Sequence, residues 1–194
     1  ATRGHFLVAA MKETYRFAHE LVRQRVIAQL PLPRLQAYHL AVADTLERVY
    51  GKGAPDHASE IGYHLYQAGT AADPLRTATF LAQAATNALH VGAFEEVLRL
   101  VDSAIQLMPA EKTRERAEAL AMRAHALVGL GKIDDAKAAW RGAIERYEEL
   151  GDVKTVSALH RQIAHLEAHG DHESNGAGPA EQRAAVEPEL SASS

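Results

Sequence analysis

Two glycines, Gly92 and Gly131, stand 39 residues apart, and the residues around them keep the same register. At this offset Leu81 falls on Leu120, Ala85 on Ala124 and Ala104 on Ala143. Val97 faces Ala136, Val101 faces Trp140, and Ile105 faces Ile144. Small and apolar residues recurring at helical spacing on both sides of a glycine describe a helix, a tight turn and a second helix, twice over. An alanine midway along the first helix lets the second approach, and the glycine permits the turn between them. One such pair leaves an apolar face that only a neighbouring pair can cover, so the pairs must stack. Aromatic residues make up 6% of the chain, so the core rests on Ala, Leu, Val and Ile. That composition suits closely packed helices better than a β-sandwich.

Punctuation by proline, glycine and aspartate divides the rest. Residues 5–17 read as a small β-hairpin, with a helix around Ala9–Glu13 as the competing reading. A helix over residues 18–29 is stopped by Pro31 and Pro33, and a second runs from about Leu35 to Tyr50, ended by Gly51 and Gly53. Asp56 is expected to cap a helix reaching Ala68 and terminated by Gly69. Asp73-Pro74 is an N-cap followed by a first-turn proline, opening a helix to Val91. Further helices follow over about Phe94–Leu107, Arg116–Leu130, Ile133–Leu150 and Val153–Ala168, the last stopped at Gly170. Residues 171–194, rich in Gly, Pro, Ser and Glu, read as a disordered tail.

The run Leu120, Ala124, Leu127, Gly131, Ala136, Trp140 and Ala143 resembles the tetratricopeptide repeat. Leu81, Ala85, Gly92, Ala104 and Pro109 match it more loosely, with Val97 and Val101 in place of the usual alanine and aromatic. The family repeat is about 34 residues, so the offset here carries roughly five more, placed at Ala110–Arg114. The resemblance implies an all-α fold, a right-handed superhelix of antiparallel helix pairs over residues 54–170, with Val153–Ala168 as a capping helix. Upstream, Tyr15, Phe17, His19, Leu21, Val22 and Arg23, then Leu30, Arg34, His39, Leu46 and Glu47, are similar to the region after the nucleotide-binding core of STAND-type regulatory ATPases. Glu60-Ile61-Gly62-Tyr63-His64-Leu65 looks like that family's entry into its repeats. The resemblance makes residues 1–53 the end of a winged-helix-like element with linking helices, and the whole a piece of a larger protein. It implies a non-catalytic, signal-sensing module that engages a protein or peptide, including an ATPase domain of the same parent. The first helix of each tetratricopeptide pair lines the concave face. Carried over, that nominates Tyr63, Tyr66, Gln67, Gln83, Thr86, His90, Met122, His125, His160 and Arg161 as partner-binding residues.

Chemistry is conspicuous mainly by what the motifs lack. The chain has no G-x-x-x-x-G-K-[ST] loop for ATP and no serine in a nucleophile context, so no enzyme activity and no cofactor are expected. Without cysteine there is no disulfide, thiol nucleophile or thiolate metal site, which fits a cytoplasmic location. His165 and His169 are spaced for one helix face, but a solvated helix end is the better reading than a metal site. No run approaches the roughly 18 apolar residues of a membrane span. The net charge of −4 argues against a nucleic-acid surface. The alternative reading is a DNA-binding regulator fragment using Arg16, Arg23, Arg25 and Arg34 in its winged-helix-like part.

Overall fold

The computed structural model describes residues 7–10, 14–17, 20–111 and 113–174. The positions read as most of the tail, 175–194, lie outside them. Leu7–Ala10 (β1) and Thr14–Phe17 (β2) pair antiparallel, Leu7 opposite Phe17 and Ala10 opposite Thr14. The remaining elements are helical. They are α1 (Glu20–Ala28), α2 (Leu32–Tyr50), α3 (Ala58–Ala68), α4 (Pro74–His90), α5 (Phe94–Leu107), α6 (Thr113–Gly129), α7 (Ile133–Glu149) and α8 (Val153–Ser174). Short 3-10 turns occupy Gly51–His57 and Gly69–Ala71. Among the described residues no helix is long and apolar enough to cross a membrane.

From α2 to α8 consecutive helices pack on one another, and α4 also meets α6. The short connections make consecutive helices antiparallel. Three small cores follow. Ile61 and Leu65 of α3 bury with Ala43 of α2. Leu81, Ala84 and Ala85 of α4 bury with Val97, Val101 and Ala104 of α5. Ala124 and Leu127 of α6 bury with Ala136, Trp140 and Ala143 of α7 and with Leu159 and Ile163 of α8. The first of these cores also holds Ala54, at the junction of α2 and α3. Arg76 of α4 strengthens that junction, bonding Asp44 at 2.7 Å and Glu47 of α2.

One turn recurs at Gly92, Gly131 and Gly151, with φ of 73°, 71° and 70°. At each, the glycine N–H donates three residues back, to Leu89, Val128 and Glu148. The next N–H donates five residues back, to Ala88, Leu127 and Tyr147. This pair of bonds satisfies carbonyls that a helix end leaves unpaired, and the left-handed backbone it needs favours glycine. Helix α5 ends differently, with extended backbone at Met108. There the Arg116 side chain donates to the carbonyls of Ile105 and Met108, at 3.1 and 2.7 Å. The cap at Asp73 forms as its sequence indicates, accepting from the Arg76 amide.

Four boundaries differ from expectation. Helix α2 begins at Leu32, with Pro33 inside its first turn, because first-turn amides have no intrahelical partner to lose. Asp56 caps nothing: it sits within the 3-10 turn, and α3 starts at Ala58 without a side-chain cap. Helix α6 starts at Thr113 rather than Arg116. Helix α8 passes through Gly170 to Ser174, since glycine weakens a helix interior without forbidding it.

Candidate functional site

Helices α4 and α6 lie side by side and form a cleft of about 330 Å3. Helix α4 contributes Leu75, Thr79, Ala82, Gln83 and Thr86, a run at three- and four-residue spacing that keeps them on one face. Helix α6 contributes Glu115, Glu118, Ala119 and Met122 by the same rule, and Val101, Ala104 and Met108 close the floor. Gln83 is tied to Asn87 at 3.2 Å, and Thr86 donates to its own helix at Ala82. The charged groups lining this cleft are both carboxylates.

The α6 strip continues through His125 into a second cleft of about 520 Å3, bounded by α7 and α8. Trp140 of α7 stands there with His125 edge-on to it, ring centroids 5.5 Å apart. His125 Nε2 lies 3.2 Å from Gln162 Oε1, so α6 and α8 are bridged across the opening. Arg161 and His165 line the same space.

Of the ten residues nominated from sequence, Gln83, Thr86 and Met122 come together in the first cleft, and His125 and Arg161 in the second. Tyr66 lines a separate apolar hollow with Pro74 and Leu107. Tyr63 is exposed and packs its ring against His39 and His64. Gln67, His90 and His160 are exposed and line none of these spaces. Glu118 and Trp140 were missed. The three- and four-residue spacing from Met122 back to Glu118 was a usable signal; that of Trp140 was absorbed into the core pattern. Among the described residues there is no group of three or more side chains able to hold a metal ion. The side chains of His169, Asp171 and His172 lie outside the described residues.

His39 and His64 join α2 to α3 through their Nδ1 atoms, 2.9 Å apart. Such a bond needs one protonated and one bare nitrogen. Burial, then the neighbouring His39, holds His64 below the ordinary imidazole value of 6.5, with Glu60 opposing them. A histidine lowered in the folded state contributes stability that is complete above pH 6.5 and is lost as the pH falls below it. The urea midpoint is therefore expected to drop on acidification below that value, and His64→Gln to reduce the drop. Identical slopes for the two proteins would show that the pair carries no linkage.

No protein-family model, curated protein or solved structure matches this chain.

Proposed function

We propose that the chain is a non-catalytic protein-interaction module, the regulatory repeat region of a larger STAND-type ATPase or transcriptional regulator. In this reading residues 54–170 are tetratricopeptide-like helix pairs stacked as a right-handed superhelix, with α8 as the cap. The recurring glycine turns and the alanine-lined contacts between α4 and α5 and between α6 and α7 support it. The observation that carries the function is the α4–α6 cleft, built from the first helices of two successive pairs. Its floor is apolar, and the charges lining it are Glu115 and Glu118. The occupant it fits is an extended peptide with an apolar residue beside a lysine or arginine, because like charges repel and a buried apolar side chain supplies affinity.

A random-peptide selection on the immobilised chain is expected to enrich that pattern. Ala82→Arg fills the cleft and sets a cation where the peptide's would lie. It is expected to weaken the selected peptides by about tenfold or more, with the helical unfolding midpoint nearly unchanged. Selected peptides that bind Ala82→Arg as well as the parent chain would place the interaction elsewhere, and failure to enrich any sequence would remove the peptide-binding reading.

A further inference from the structure

The second cleft has a composition unlike the first. Its lining contains no carboxylate, and Arg161, His125, Gln162 and the Trp140 indole are all able to donate. Arg161 is exposed and forms no ion pair among the described residues. Trp140 is 3% exposed, and its indole N–H has no hydrogen-bond partner. It is the one such buried side-chain group among the described residues. An indole N–H can only donate, and buried donors are nearly always paired, so this one calls for an acceptor. Below the polar rim, Val128, Ala158 and Leu166 give the cleft an apolar wall.

We propose that the α6–α7–α8 cleft binds a small organic carboxylate with an apolar body. The carboxylate sits on the Arg161 guanidinium and the Gln162 amide, whose oxygen is already turned to His125. The apolar body lies along Val128 and Leu166, and the second carboxylate oxygen serves as the acceptor that the Trp140 N–H lacks. The cleft is separate from the α4–α6 groove, and the proposal does not depend on the repeat reading. What selects the ligand is the excess of donors over acceptors: a neutral amide of the same shape brings its own donor and forfeits the charge-assisted bond to arginine.

Trp140 is the single tryptophan of the chain, so its indole N–H resonance and its fluorescence report on this place alone. Benzoate and hexanoate, titrated into the full chain, are expected to shift the indole N–H signal saturably. Benzamide and hexanamide are expected to bind about tenfold more weakly or worse. Arg161→Gln, at an exposed position, is expected to weaken benzoate by a similar factor while leaving the unfolding midpoint in place. Ala82→Arg, in the other cleft, is expected to leave benzoate binding unchanged, which separates this site from the peptide groove. A shift that never saturates, amides that match the acids, or an Arg161→Gln variant that binds benzoate like the parent would each overturn the proposal.

Discussion

Trp140→Ala is expected to lower the unfolding free energy by about 3–5 kcal/mol, the range for emptying a large aromatic site in a packed core. Domains of this kind have about 5–15 kcal/mol in total, so the variant stands near the limit of folding. The indole is buried among Ala124, Leu127 and Ala136 of its own helix pair, and Leu159 and Ile163 of α8 belong to the same core. Removing it therefore loosens both the α6–α7 pair and the seat of α8. Trp140→Phe separates packing from polarity. It keeps a ring in the site and deletes a buried N–H that has no partner, and leaving such a donor unsatisfied costs about 1–3 kcal/mol. The gain offsets much of the lost area, so Trp140→Phe is expected to lose less than about 1.5 kcal/mol. Urea unfolding followed by far-ultraviolet circular dichroism measures both, since the fluorescent probe is gone. A phenylalanine variant as unstable as the alanine variant would mean that the indole N–H is not a liability in the free chain.

The α4–α7 segment was legible in the sequence because local and tertiary requirements coincide there. Asp73 and Pro74 start a helix by geometry alone, and Gly92 and Gly131 are glycines because their backbones are left-handed. The paired positions Ala85 with Ala124, and Ala104 with Ala143, are all fully buried. The segment from residue 31 to 57 was less legible because its signals are ambiguous. A proline ends one helix or opens the next with equal local propriety, and Pro31 and Pro33 share the two tasks: Pro31 precedes α2 and Pro33 lies in its first turn. Asp56 has the right chemistry for a cap, but the chain reaches it already wound as a 3-10 turn. Arg116 reads as a surface charge, and its role at the end of α5 depends on an approach between elements that periodicity does not encode.

The candidate sites show the same division. Helical spacing places Gln83 and Thr86 on one face and Met122 on another. That these two faces meet, and that His125 and Arg161 line a different cleft together, depends on which helices become neighbours. The unpaired indole of Trp140 had no signature at all, because sequence specifies the donor and only packing withholds its partner.

Ala85→Leu and Ala124→Leu test whether the small residues set the helix spacing. Both alanines have no exposed surface, Ala85 within the α4–α5 core and Ala124 within the α6–α7 core. Leucine is the better core residue by transfer free energy and as good a helix former as most, so a core with slack would gain from either change. In a filled core the added carbons must push the partner helix away or take strained rotamers, at a cost of about 1–3 kcal/mol and sometimes more. The destabilising sign is expected at both sites. Because Ala85 and Ala124 occupy matching places in two pairs, similar losses in urea midpoint are expected from them, and Ala85→Ser, which adds little volume, is expected to lose less than Ala85→Leu. A neutral or stabilising leucine at either position would show that the close approach of the helices there does not depend on the alanine. The two clefts would then owe their shape to the turns at Gly92 and Gly131 rather than to the packing between helices.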